Sequence, residues 1–184
     1  MKTAVDSSVL LDVLLGDPLF GGRSREALRE AYDRGALVAC EVVWAEVRAQ
    51  FAGEDVFLDA LRTLGVAFEA LTPAAAALAG QVWRDSRKSA TRSRGHERVA
   101  ADFLIGAHAR VQAERLLTRD EAFYRTYFRG IKLAGPEGSG AGPSSYEAIS
   151  DLVGSVRGHA RMRSKRGVRR MGADLQRRRL GQRR

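Results

Sequence analysis

The segment Lys2-Thr3-Ala4-Val5-Asp6-Ser7-Ser8-Val9-Leu10-Leu11-Asp12-Val13-Leu14-Leu15 changes character in mid-course. Residues 2–5 form a short, apolar stretch that reads as a buried strand ending at Asp6. From about Val9 to Leu15 the run is long enough for an apolar helix, which Gly16-Asp17-Pro18 stops. A strand that runs straight into a helix begins an alternation, and it leaves an acid, Asp6, at the strand's carboxyl end.

The alternation continues outward from this segment. Ser24 has the chemistry to cap a helix running to Arg34 and Gly35 to end it, and Ala36-Leu37-Val38-Ala39-Cys40 suits a second buried strand. A helix is expected over Glu41–Phe51, another after Gly53, and a third strand over Val66–Leu71. Thr72-Pro73 supplies an N-cap and a first-turn proline for a helix reaching about Ser86. After the polar loop Arg87–Gly95 come a helix of about 97–112 and a fourth strand, Arg115–Thr118. A short helix, Glu121–Phe128, and a last strand, Ile131–Ala134, complete the pattern. Strands alternating with helices imply an α/β fold: a mainly parallel sheet covered on both faces, with its sites at the carboxyl ends of the strands.

Acids interrupt apolar stretches at four places. Asp102 is the only polar residue in Val99–Ala107, and an unpaired carboxylate there would be costly. Glu46 shares a helical stripe with Val43 and Val47 and is expected to point partly inward. Asp6 and Asp120 each close an apolar strand, so a doubly wound sheet would place both along one edge. Singly, each has an ordinary use: Asp6 as a helix cap, Glu46 and Asp102 half-exposed or paired with arginine, Asp120 starting a turn. Held together they would repel one another, and a bound cation is the usual relief. Oxygen-only ligands favour Mg²⁺ or Mn²⁺, which can activate water and neutralise charge on a phosphodiester.

Four motifs in order carry a resemblance. Ala4–Leu11 resembles the opening motif of PIN-domain nucleases, Val43-Trp44-Ala45-Glu46-Val47 their second, and Ala101–Ala107 their third. Leu117-Thr118-Arg119-Asp120 with Phe123 and Phe128 resembles their fourth. The match covers residues 1–136 and is especially similar to the VapC-type toxins of bacterial toxin–antitoxin pairs. It implies a PIN-like α/β/α sandwich and a metal-dependent endoribonuclease leaving a 5′-phosphate and a 3′-hydroxyl. In that reading Asp6, Asp102 and Asp120 bind Mg²⁺ or Mn²⁺ directly or through water, Glu46 completes the acidic cluster, and Ser8 and Thr118 support it. The family often has asparagine where this chain has Ser8, which leaves that residue's role open. The resemblance also implies a homodimer and inhibition by a small antitoxin. Two readings stand behind this one: a PIN nuclease of RNA maturation or DNA repair without an antitoxin, and a non-catalytic RNA-binding module. Degenerate modules usually lose acids, and all four are present here.

The formal charge of +9 is unevenly spread: residues 1–136 hold 19 Lys+Arg against 18 Asp+Glu, residues 137–184 hold 12 against 4. The Gly- and Ser-rich stretch 137–142 has linker composition, which sets the domain boundary at 136. The basic extension behind it contains one amphipathic segment, about 144–157. It serves RNA or ribosome affinity, docking, or no purpose at all; compact family members lack it. Arginine dominates the basic residues and asparagine is absent, as a GC-rich coding sequence would produce, so pI alone argues little. Within the domain, Arg84, Arg87, Lys88, Arg92, Arg94 and Arg98 surround the loop before Asp102, where they are placed to hold RNA phosphates.

The remaining signals are structural. Trp44 and Trp83 are expected in the core, Gly21-Gly22 in a turn, and His108 and His159 in surface or packing positions. His96-Glu97-Arg98-Val99-Ala100 lacks the second histidine of a zinc helix. The single Cys40 excludes an intramolecular disulfide and a cysteine zinc site, in keeping with a reducing cytoplasm. No run reaches the roughly 18 apolar residues of a membrane span, and residues 1–6 lack a signal-peptide core, so neither export nor a membrane partner is expected.

Overall fold

The computed structural model describes residues 1–89 and 100–136. The segment expected to be helical at 144–157, together with Arg92, Arg94, Arg98, His159 and the side chain of Lys88, lies outside the described residues.

Strand β1 (Lys2–Val5) leads through α1 (Ser7–Leu14) and α2 (Gly21–Asp33) to β2 (Ala36–Ala39), and α3 (Glu41–Arg48) and α4 (Glu54–Thr63) continue to β3 (Val66–Phe68). Helices α5 (Pro73–Ser89) and α6 (Ala100–Gln112) then cross to β4 (Arg115–Leu117), and α7 (Glu121–Tyr127) precedes β5 (Lys132–Ala134). The sheet order is β3-β2-β1-β4-β5 and every neighbouring pair is parallel, so the expected alternation is realised without an antiparallel strand. The right-handed rule for parallel crossovers assigns α1–α4 to one face and α5–α7 to the other. The order reverses between β1 and β4, and their carboxyl ends open the crevice where doubly wound sheets bind ligands. Among the described residues no helix is long and apolar enough to cross a membrane.

Central position explains composition. β1 has neighbours on both sides, Thr3 facing Leu37 and Arg115, and its Thr3, Ala4 and Val5 are almost wholly buried. Val9, Leu10, Val13 and Leu14 of α1 close one face of the core. On the other face Phe103 of α6 meets Phe123 and Tyr127 of α7 edge-on at 5.2 and 5.4 Å, contacts of roughly 1 kcal/mol beyond burial. Gly106 lets these helices approach. A Cβ there would collide with the ring of Phe128.

Several local expectations are corrected. Ser24 is not a cap: α2 starts at Gly21, and Ser24 lies one turn inside it with its hydroxyl donating to Asp12 Oδ2 at 2.7 Å. The first turn is organised instead by Asp17, whose Oδ1 accepts from the Leu19 and Phe20 N–H groups at 2.8 and 2.9 Å. Gly21-Gly22 therefore opens a helix rather than forming a turn, and a Cβ on Gly21 would crowd the Asp12 carbonyl at 3.1 Å. β3 ends early because, after the Glu69 N–H bonds to the Ala39 carbonyl, the Leu71 N–H leaves the ladder for the Glu41 carboxylate. Trp44 is half-buried against Phe57 and Phe68, but Trp83 is 37% exposed, stacked on Phe103 rather than enclosed. The Thr72 cap and the buried Cys40 are as expected.

His108 is a packing residue, 1% exposed, with Nε2 3.1 Å from Glu69 Oε2; Lys2 Nζ takes the other Glu69 oxygen. Burial pushes its pKa below the ordinary 6.5, outweighing the opposing pull of Glu69 and Glu41, while Lys2 adds to the depression. Below 6.5 the unfolded chain therefore binds protons that the folded one refuses, so this contribution is complete above 6.5 and is lost as pH falls. The urea midpoint of the parent should drop more between neutral and mildly acid pH than that of His108→Gln; equal drops would contradict it. Gly106→Ala should destabilise by roughly 1–3 kcal/mol through overpacking against Phe128, read from the same unfolding curves.

Candidate active site

Asp6 follows β1 directly and is buried. Although it occupies the N-cap of α1, its side chain caps nothing. Asp6 Oδ2 instead accepts from Ser8 Oγ at 2.8 Å and from Thr118 Oγ1 at 2.7 Å. Among the described residues no lysine or arginine pairs with it. Neutral donors thus hold a buried carboxylate in one orientation and leave its charge uncompensated. Ser8, standing where the family often has asparagine, keeps a donor on this acid.

Thr118 sits at the end of β4 with no exposure, and its N–H donates to the Ala134 carbonyl of β5. The same hydroxyl that donates to Asp6 accepts from the Asp120 N–H at 3.1 Å. Asp120 caps α7 through Oδ1, which accepts from the Phe123 N–H at 3.1 Å. The turn-starting role open to Asp120 is therefore real, and the residue is exposed.

Asp102 is half-buried in the first turn of α6, beside Phe103. Glu46 departs from expectation: Val43 and Val47 are buried, but Glu46 lies on the exposed flank of α3. Its carboxylate makes no hydrogen bond or ion pair among the described residues.

One buried group feels all four acids. Tyr124 of α7 is 1% exposed, and its hydroxyl has no hydrogen-bond partner among the described residues. Burial raises its pKa far above the ordinary phenol range, and the charges of Asp6, Asp102, Asp120 and Glu46 push it further. Those four acids come from β1, α6, the β4–α7 loop and α3. Among the described residues no three His, Cys, Asp or Glu side chains are close enough to share one ion directly. The set is nevertheless suited to a hard cation: all-oxygen donors, an Asp6 held by two hydroxyls and without a cationic partner among the described residues, and a buried, unpartnered Tyr124 hydroxyl that feels their charge. Mg²⁺ characteristically keeps several waters between itself and such carboxylates.

Of the basic residues singled out before Asp102, Arg87 is described; it is exposed, with its guanidinium 5.0 Å from the Trp83 ring centre. Sequence reasoning passed over Tyr124, Asp12 and Arg119. Asp12 did carry a signal, since it breaks the Val9–Leu15 run as Asp102 breaks Val99–Ala107. Tyr124 carried none, being one apolar position among others in α7.

A parallel sheet whose strand order reverses at β1 and β4, with Asp6 and Asp120 following those strands, defines a doubly wound α/β domain with its crevice on that edge. The PIN domain family model matches residues 3–129, and the chain belongs to that family, whose members are in general nucleases. Among solved structures it is similar to VapBC2 from Rickettsia felis, described as bound to a DNA fragment from their promoter. That likeness has a TM-score of 0.55 and 13% identity over 73% of this chain and 98% of that one. It is also similar to VapBC-1 from nontypeable Haemophilus influenzae, at a TM-score of 0.50 and 15% identity over 74% and 98%. At these identities the likeness is one of fold. No curated protein matches the chain.

An unpartnered buried hydroxyl is a cost of roughly 1–3 kcal/mol. Tyr124→Phe should therefore unfold in EDTA at the same or a higher temperature than the parent. A clear fall in Tm would reveal a hydrogen bond that the hydroxyl makes in solution.

Proposed function

We propose that this chain is a divalent-metal-dependent endoribonuclease and the toxin of a VapBC-like toxin–antitoxin pair. The observation that carries the reading is the buried Asp6 carboxylate, held by Ser8 and Thr118 where β1 and β4 end, together with the charges of Asp6, Asp102, Asp120 and Glu46 all acting on the buried Tyr124 hydroxyl. Asp6, Asp102 and Asp120 would hold Mg²⁺ or Mn²⁺, in part through water, with Glu46 completing the set. When bound, such an ion supplies Lewis acidity toward a phosphodiester.

The chain's own groups do the rest. Ser8 and Thr118 fix the Asp6 carboxylate, and Thr118 fixes the Asp120 backbone relative to it. Preorganisation of this kind avoids reorganisation during the reaction. Glu46, exposed and without a partner among the described residues, is the acid best placed to accept a proton from attacking water; hydrolysis would leave a 5′-phosphate and a 3′-hydroxyl. The Trp83–Arg87 edge, with Lys88, Arg92, Arg94 and Arg98 following in sequence, would bind RNA phosphates. Similarity to VapBC structures supports an antitoxin partner; in this reading the chain is a homodimer that acts on RNA in the cytoplasm.

The test is RNA cleavage by the purified full chain, freed of any partner, with Mg²⁺ or Mn²⁺ and with EDTA, beside Asp6→Asn. Cleavage should require the metal and fall by roughly two orders of magnitude or more in the variant. No cutting of RNA or DNA by folded protein, with no measurable metal binding, would overturn the reading.

A further inference from the structure

A second constellation adjoins the acids. Asp12 of α1 is 4% exposed; its Oδ2 accepts from Ser24 Oγ at 2.7 Å and forms an ion pair with Arg119, whose Nε lies 3.2 Å away. Burial holds the Asp12 carboxyl above its ordinary pKa, with Ser24 and Arg119 opposing and Asp17 and Asp6 adding to the rise. The Arg119 guanidinium also lies 4.5 Å from the centre of the Phe20 ring. Two contacts therefore fix the guanidinium while its terminal nitrogens have no partner among the described residues, and the side chain stays one-third exposed.

Arg119 faces a cavity of 280 Å³, lined among others by Phe20, Arg23, Thr118, Asp120 and Gly135. Arg23 is exposed and forms no ion pair among the described residues. Two cations thus border a hollow that also holds Asp120 and Glu121, the latter already paired with Arg125. A phosphodiester strand is repelled by clustered carboxylates and needs cations on its flanking phosphates. A guanidinium fixed through Nε offers the remaining N–H groups to phosphate oxygens in a preset fork.

We propose that Arg119 and Arg23 form a phosphate-binding subsite for single-stranded RNA next to the scissile position, on the Asp120 side, with Asp12 as the residue that positions Arg119. The proposal rests on the nuclease reading for the direction of the strand. It does not rest on it for the binding itself. Phe20, 37% exposed beside the cavity, offers a ring edge to the adjoining nucleoside.

The experiment measures binding of fluorescein-labelled single-stranded RNA of mixed sequence to the full chain across a salt series, in an Asp6→Asn background that prevents cleavage. Arg23→Gln removes a charge from an exposed residue without disturbing packing. It should weaken binding several-fold and flatten the slope of log K against log salt by about 0.7. Arg119→Lys keeps the charge that neutralises Asp12 but loses the fork, so affinity should fall roughly tenfold with a nearly unchanged slope. Parent values of slope and affinity in both variants, with unchanged thermal unfolding, would overturn the subsite. If the parent without Asp6→Asn cuts no RNA while Arg23→Gln still flattens the slope, the subsite stands and the nuclease reading fails. Cleavage by the parent, with slope and affinity unaltered in both variants, would leave the nuclease reading standing and remove the subsite.

Discussion

The hydrogen bond from Thr118 Oγ1 to Asp6 Oδ2, 2.7 Å long and closed to solvent, is the join on which the site depends. It spans the carboxyl ends of β1 and β4, the two strands between which the order of the sheet reverses. The same oxygen accepts from the Asp120 N–H, so one threonine locks a buried acid, a strand end and the start of α7 together. A lysine in its place would satisfy Asp6 more strongly, yet it would also cancel the charge. Hydroxyls satisfy the lone pairs and leave the field intact, which suits a carboxylate kept for a cation.

The second constraint is aromatic. Asp102 adjoins Phe103, and Asp120 caps the helix that carries Phe123, so the 5.2 Å contact between these rings sets the relative placement of the two acids. Close approach of α6 to Phe128 at Gly106 belongs to the same device. Packing rather than electrostatics thus brings like charges near one another. The opposing repulsion is spread over a core whose burial is worth far more than any single pair.

Most of this architecture was legible from periodicity. The expected strands all form, and parallel pairing follows from helices long enough for crossovers. Most of the errors were decided by a partner or a packing surface distant in sequence. Ser24 looks like a cap until Asp12, twelve residues earlier, claims its hydroxyl, and Asp17 has already organised the turn. Glu46 shares a stripe with Val43 and Val47, but a stripe has flanks, and only tertiary packing says which flank is wet. Tyr124 is indistinguishable from a core aromatic in sequence, because what sets it apart is the lack, among the described residues, of a partner for its hydroxyl.

Charge placement gives the last step. The described domain is nearly neutral by composition, so a strongly acidic cleft requires its cations elsewhere. Two are held away from the buried Asp6: Arg119 on Asp12 and Arg87 over Trp83. Among the described residues neither forms an ion pair with Asp6 or Glu46. Such a pattern keeps the centre negative enough for a divalent ion while the rim carries positive charge suited to a polyanion. A cation bonded directly to Asp6 would serve neither purpose, since it would compete with the ion at the centre and be unavailable to the strand at the edge. The separation of the two charge layers is therefore a requirement of the chemistry proposed, and Asp12, buried between them, is the residue that maintains it on the Asp120 side.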